Sequence, residues 1–275
     1  MSRKPITGAI VTGASAGIGR ELVRQLATHK QLPDLTIVAT ARRADRLHDL
    51  EQELPPGKIL PFPADLASEV DRAALFEFAL KHLPQLDLVV NNAGLGAYGP
   101  FEKMSPTKIR EIINVDFDAL ADLTARAICV MKPQRSGQIV EISSILGEVG
   151  LPYSAAYVAA KHAVNGLVKS IRYELAGTGV SVWAACPGQT VSEFRQIAGA
   201  GHASQNGKSA EPVEKVVASI IKAIVAGQNR ALYYPTWKPW TIAQIARLSP
   251  RLWDAMMIRY GRQIASEDLG PDGQL

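Results

Sequence analysis

Short apolar runs alternate along this chain with longer stretches of helical periodicity, and a glycine-rich turn follows the first run. Residues 6–12 read as a strand, Thr12-Gly13-Ala14-Ser15-Ala16-Gly17-Ile18-Gly19 as the turn, and 18–30 as a helix. Further strand-like runs lie at 35–39, 59–62, 86–90, 138–142, 180–185 and 231–234. Helical stretches lie between them at 43–54, 68–83, 106–131, 155–176 and 212–226, with Ser68 placed to cap the one it opens. Strands that alternate with helices predict an α/β fold, a doubly wound parallel sheet covered on both faces. The expected organisation is one main domain over 1–235, with 236–275 as a helical extension of it. The Gly- and Ser-rich stretch 198–209 reads as a mobile loop.

Composition narrows the partners. The chain has 275 residues, 47% apolar and 20% charged, enough for a large soluble core. A net charge of +4 is mild and does not point to nucleic acid. Cys129 and Cys186 form no CxxC or metal spacing, so a reduced compartment and no metal site are expected. No signal-peptide pattern opens the chain and no apolar run reaches membrane-spanning length. The expected location is the cytoplasm.

Gly13, Gly17 and Gly19 follow a strand and open a helix, the context in which such a turn holds a dinucleotide. Small residues let the backbone approach a pyrophosphate, and the helix N-terminus stabilises its charge. The alternative is a tight turn without a ligand. Ser15 and Ile18 lie within this turn. The second strand runs into Thr40-Ala41-Arg42-Arg43, with no acid to hold a ribose diol. Arg42, and with it Arg43, fits a 2′-phosphate instead, which favours NADP(H), with NAD(H) as the alternative. Two solvated arginines are the other reading of the pair. Asp65 and Leu66 end the third strand where an adenine edge would be held, although Asp65 also reads as a helix cap. Asn91-Asn92-Ala93-Gly94 ends the fourth, where small residues let a ring lie against the backbone.

The chemistry is carried by Tyr157 and Lys161, four apart and so on one helix face. An ammonium beside a phenol favours the phenolate and is expected to lower its pKa. With a dinucleotide, this pair reads as hydride transfer to or from a carbonyl.

The ordered set T-G-x-x-x-G-I-G at 12–19, N-N-A-G at 91–94, Asn114, Ser143-Ser144, Tyr157-x-x-x-Lys161 and Pro187-Gly188 resembles the short-chain dehydrogenase/reductase family. The resemblance covers roughly residues 5–195 and implies a Rossmann-like sheet of about seven strands. It implies an Asn114–Ser144–Tyr157–Lys161 catalytic group. The family's serine stands thirteen residues before its tyrosine, which selects Ser144 over Ser143, and Tyr157 rather than Tyr153 has the spacing to Lys161. Ser144 is then expected to hydrogen-bond the carbonyl oxygen, Tyr157 to exchange a proton with it, and Lys161 to hold the ribose hydroxyls. Asn114 is expected to anchor a water on the way to Lys161. Lowering a phenol from about 10 to about 7 needs roughly 4 kcal/mol, within reach of an ammonium and an oxidised nicotinamide together. Thr190 stands where the family has valine, and Ser192 where a threonine contacts the carboxamide.

The C-terminal segment departs from the family's acyl-carrier-protein reductases, whose V-D-G-G ending is missing. Residues 237–262 hold three of the four tryptophans, five basic residues and one acid. Helices over 240–248 and from Ser249-Pro250 onward are expected there. Their apolar stripes read first as core or subunit interface, then as a lid over an apolar substrate, then as a membrane-surface helix. The leading expectation is an NADP(H)-dependent oxidoreductase acting on a lipophilic small-molecule carbonyl or alcohol. A 3-oxoacyl-thioester reductase and a non-catalytic dinucleotide sensor are the alternatives. By family habit the chain is expected to form a homodimer or homotetramer.

Overall fold

Seven strands form a single parallel sheet: β1 (Gly8–Thr12), β2 (Thr36–Ala41), β3 (Ile59–Pro63), β4 (Leu88–Asn91), β5 (Gly137–Ile142), β6 (Val180–Ala185) and β7 (Leu232–Tyr233), in the order β3-β2-β1-β4-β5-β6-β7. The structure is a computed structural model and describes residues 4–191, 193, 194, 198 and 210–267. The strands β1, β2, β4, β5 and β6 are buried on both faces, which is why their sequences are largely apolar runs, while the edge strands β3 and β7 are partly exposed. In β1, Ala9 and Val11 face one layer and Ile10 the other; Trp183 and Val182 divide β6 the same way.

The first layer holds α1 (Gly17–Ala27) and α2 (Ala44–Gln52), with Leu22, Leu26, Leu47 and Leu50 fully buried. The second holds α3 (Glu69–His82), α5 (Leu120–Gln134) and α6 (Ala155–Glu174), through Leu75, Leu123 and Val168. Helix α7 (Val213–Ala226) joins the first layer through Val216, Ile220 and Ile224. Burying a side chain of this size contributes about 1.5–3 kcal/mol. Ser68 caps α3 as expected, its hydroxyl accepting from the Asp71 amide at 3.3 Å. The strand order turns back between β1 and β4, so a crevice opens at their C-terminal ends.

One element differs from expectation. The predicted continuous helix over 106–131 is α4 (Pro106–Ile113), a π-turn (Asn114–Ala119) and then α5. The widened turn carries Asp116 inward, where it is fully buried. Periodicity does not reveal this, because a one-residue expansion hardly disturbs an apolar stripe. Two last helices, α8 (Trp237–Leu248) and α9 (Pro250–Glu267), follow β7. Ala243 and Trp253 pack there on Ile145 and Val149, beyond the end of β5. Most of the expected loop at 198–209 lies outside the described residues.

Candidate active site

The site is built where β1, β4 and β5 end. After β1 the chain turns through Gly13 and Gly17, both at positive φ (66° and 55°), which favours glycine. A Cβ on Gly19 would lie 2.3 Å from the Gly13 carbonyl oxygen, so only glycine lets the helix start this close to the turn. The loop after β4 braces it: the Asn92 side chain donates to the Thr12 carbonyl at 2.9 Å, and the Asn92 and Ala93 amides donate to Thr12 Oγ1 at 2.8 and 3.0 Å. Asn92 and Ala93 thus hold the turn in place. Helix α1 begins with no side-chain cap and no acid in its first turn. Its N-terminal amides are available to an anion, as a pyrophosphate requires.

Beyond β2, Arg43 reaches this turn. Its Nε and Nη2 donate to Ser15 Oγ at 3.2 and 3.0 Å, and its Nη1 donates to Glu193 at 3.3 Å. Arg46 donates to both Glu193 oxygens, at 2.9 and 2.8 Å. These arginines hold the Glu193 carboxyl below its ordinary pKa, Arg46 the more strongly. Arg42 is exposed and forms no ion pair with a described residue. Asp65 is exposed and accepts from the Ala67 amide at 3.1 Å, while Leu66 is buried and its carbonyl accepts from Arg72.

Ser144, Tyr157 and Lys161 come together beside the end of β5. Ser144 Oγ accepts from the Leu146 amide at 3.1 Å, capping the short 3-10 turn Ile145–Gly147. Its proton is therefore directed elsewhere, and Ser144 lies close enough to Tyr157 to favour the phenolate. Lys161 is buried; its Nζ donates to the Ile142 carbonyl at 3.2 Å and lies 5.4 Å from the centre of the Tyr157 ring. Tyr153 is held apart, its hydroxyl donating to the Gly261 carbonyl. Pro187 accepts from the Ile145 amide at 2.9 Å, which fixes the following loop beside Ser144, and Thr190 Oγ1 donates to the Gly188 carbonyl at 3.2 Å. Ser192 lies outside the described residues. Gly94 is packed against Asp116. The Phe194 ring covers Tyr157 at 5.5 Å, and just after Ser144 the side chains of Ile145 and Val149 are buried against Ala243.

Two acids lie behind this group. Asp116 Oδ2 is 3.5 Å from Lys161 Nζ, and its Oδ1 accepts from the Leu95 amide at 2.5 Å. Glu141 accepts from Thr124 at 2.7 Å and from Asn91 at 3.3 Å. Burial raises both carboxyls, Glu141 to about 7, with Lys161 drawing each back. Asp116 in turn is the main charge that raises Lys161 and keeps it an ammonium, against the effect of its burial. The Asn114 side-chain amide donates to the Ala67 carbonyl at 3.5 Å.

Reading the residues alone missed both acids. Asp116, two residues after Asn114, looks like a solvated helix acid. Glu141 did leave a signal, a charge inside a strand expected to be buried on both faces.

Lys161 draws the phenol down, as expected, but it does not set the balance. Burial outweighs the ammonium and the Ser144 hydroxyl, Asp116 adds to the rise, and Tyr157 sits above its ordinary pKa. This gives a test of Asp116. Asp116→Asn keeps an acceptor for the Leu95 amide but removes the charge that opposes the phenolate. The rising limb of alcohol oxidation should move by on the order of one unit, to lower pH where Lys161 keeps its charge and to higher pH where loss of Asp116 discharges it. Breaking the buried pair also costs on the order of 3–5 kcal/mol of stability, so the profile is measured well below the variant's melting temperature. An unmoved limb would remove Asp116 from any influence on the phenol.

An uncapped helix start behind a glycine turn, opposite a Ser–Tyr–Lys group in the crevice of a parallel sheet, defines a dehydrogenase-type fold. The comparisons agree: residues 7–202 match the short chain dehydrogenase family, and the chain belongs to it. The 3-oxoacyl-[acyl-carrier-protein] reductase FabG of Staphylococcus aureus is 32% identical over 191 residues, covering 70% of this chain and 77% of that protein. A short chain dehydrogenase/reductase from Burkholderia phymatum, solved in complex with NAD, superposes with a TM-score of 0.82 at 20% identity, over 92% of this chain and 96% of that one. A short-chain dehydrogenase from Sphingobium yanoikuyae, solved with NADPH, gives 0.75 at 24% identity, over 98% and 99%. Among the described residues, no helix is long and apolar enough to cross a membrane.

Proposed function

We propose that this chain is an NADP(H)-dependent oxidoreductase that reduces an apolar ketone or aldehyde, with the reverse alcohol oxidation at high pH. The observation that carries the reading is the meeting of Ser144, Tyr157 and buried Lys161 past the end of β5, at the same edge of the parallel sheet as the uncapped start of α1 after β1. The nicotinamide supplies or accepts the hydride when bound, which no side chain can do. The turn Gly13, Ser15, Gly17, Ile18 and Gly19 would hold the pyrophosphate, Asp65 and Leu66 the adenine side, and Asn92, Ala93 and Gly94 the neighbouring ribose. Pro187, Gly188, Thr190 and Ser192 would border the carboxamide.

Ser144 donates to the substrate oxygen and fixes its position. Tyr157 donates a proton to that oxygen in reduction and removes it in oxidation. A raised pKa keeps the phenol protonated through neutral pH, which favours reduction. Lys161, kept charged by Asp116, orients the ribose hydroxyls and stands ready to pass a proton toward Tyr157. Arg43 supports the choice of NADP(H): it already holds a carboxylate, that of Glu193, beside the turn. A guanidinium gains more from a phosphate dianion than from a bare hydroxyl. The Phe194 ring over Tyr157 supports a lipophilic substrate.

The S. aureus relative favours a second reading, reduction of a 3-oxoacyl thioester. A panel of aliphatic and aromatic ketones, aldehydes and a 3-oxoacyl thioester, followed by loss of reduced nicotinamide, separates the two. The expected result is turnover of apolar ketones or aldehydes at a higher kcat/KM than the thioester. A preference for the thioester would replace the first reading with the second, and no turnover of any member would contradict both.

A further inference from the structure

The large exposed apolar side chains concentrate on the last two helices. Trp237 is 66% exposed, Trp240 52%, Leu248 75% and Leu252 54%, with Met256 and Ile258 beside them. Single exposed apolar residues are ordinary, but a cluster marks an interaction surface. On α8, Trp237, Trp240 and Leu248 share one face by helical spacing, while Pro239 and Ala243 are buried. On α9, Trp253 and Ile264 pack inward and Leu252 and Met256 stay outside. Between the helices, Arg247, Leu248, Ser249, Pro250, Arg251 and Leu252 are exposed without a break.

The charges of this segment are mostly of one sign. Arg247, Arg251, Arg259 and Arg262 are exposed and form no ion pair with a described residue, whereas Arg20, Arg72 and Arg126 are each paired with an acid. Asp254 is the only acid from 237 to 262. The next is Glu267, at the end of α9 and roughly 25 Å along that helix from the junction. A second copy of the chain fits poorly here, since a twofold contact would set arginines against arginines with Asp254 alone to compensate. Exposed tryptophans and leucines among arginines that have no ion pair with a described residue match the headgroup boundary of an anionic bilayer, where indoles take the interface and guanidiniums meet phosphates.

We propose that the α8–α9 junction is a docking surface for an anionic lipid bilayer. Trp237, Trp240, Leu248 and Leu252 enter the boundary between headgroups and acyl chains, and Arg247, Arg251 and Arg259 face the lipid phosphates. The inner side of the same helices packs on the turn after Ser144, and Tyr153 donates to Gly261 of α9. Docking therefore brings the rim of the site to the phase in which apolar carbonyl compounds concentrate. That last consequence rests on the proposed function; the binding itself does not.

The test uses the full chain without coenzyme or substrate, sedimented with vesicles of phosphatidylglycerol and phosphatidylcholine in equal parts or of phosphatidylcholine alone. Binding is expected to the anionic vesicles at low salt, with a blue-shifted tryptophan emission, and is expected to fall at high salt. Arg247→Glu with Arg251→Glu should lower the partition coefficient at least about tenfold. Trp240→Ala with Leu248→Ser should lower it and abolish the emission shift. All four positions are exposed, and an unchanged melting temperature shows that the variants are folded. No binding of wild type to anionic vesicles at low salt would overturn the proposal. Binding that neither variant weakens would place the contact elsewhere and overturn it equally. Failure to bind vesicles, with a change of oligomeric state in Trp240→Ala/Leu248→Ser, would assign the patch to a second copy.

Discussion

Tyr157→Phe is expected to reduce turnover at least about a hundredfold, the usual contribution of a positioned general acid, while NADPH binds within about twofold of wild type. The substitution removes one oxygen. The ring remains in place against Phe194, 5.5 Å away, and under Lys161, 5.4 Å from its centre. Loss of the phenol leaves Ser144 to orient the carbonyl but leaves no group of suitable acidity at the oxygen. Lys161→Ala should impair both turnover and coenzyme affinity, because the proposed mechanism gives the ammonium both tasks, and it also strands the buried Asp116 carboxyl. Steady-state kinetics with equilibrium titration of NADPH distinguish the two variants. If Tyr157→Phe retained more than a few per cent of wild-type turnover with chemistry limiting, Tyr157 would not be the acid.

The second large effect is expected at the coenzyme. Arg43→Ala should weaken NADPH by about 1.5–3 kcal/mol, roughly tenfold to a hundredfold in Kd, the range for a hydrogen bond to a charged group. NADH, with no 2′-phosphate, should change by less than about threefold. The reason is geometric: Arg43 is the arginine that reaches Ser15 in the glycine turn, while Arg42 points into solvent. Arg42→Ala alone should therefore have the smaller effect, and the double variant should prefer NADPH least. Dissociation constants for both coenzymes on all four proteins settle the point. Wild type that binds NADH as tightly as NADPH would refute the phosphate role before any variant is made.

The fold was legible because its determinants are local and periodic. The inner parallel strands are largely apolar runs buried on two faces, and the helices between them pack apolar residues on the sheet, so alternation points to the class. The glycine turn was legible because Gly13 and Gly17 adopt positive φ and Gly19 has no room for a side chain. What could not be read is what depends on three-dimensional balance. Asp116 is brought to Lys161 by a π-turn, and no pattern in Asn114-Val115-Asp116 announces one. The phenol's acidity depends on burial set against charge, and burial is the larger effect. The pairing of Arg43 and Arg46 with Glu193 joins residues about 150 positions apart in sequence, beyond any spacing rule.

The central claim is that this site moves a hydride between a nicotinamide and a carbonyl carbon under proton control by Tyr157. The most direct measurement is transfer of label from NADPH deuterated at C4 of the nicotinamide, on either face, to an apolar ketone. With wild-type protein, the product alcohol should carry deuterium on its carbinol carbon from one of the two labelled coenzymes, and Tyr157→Phe should yield almost none. Coenzyme that binds but transfers no label to any carbonyl compound of the panel would contradict the account.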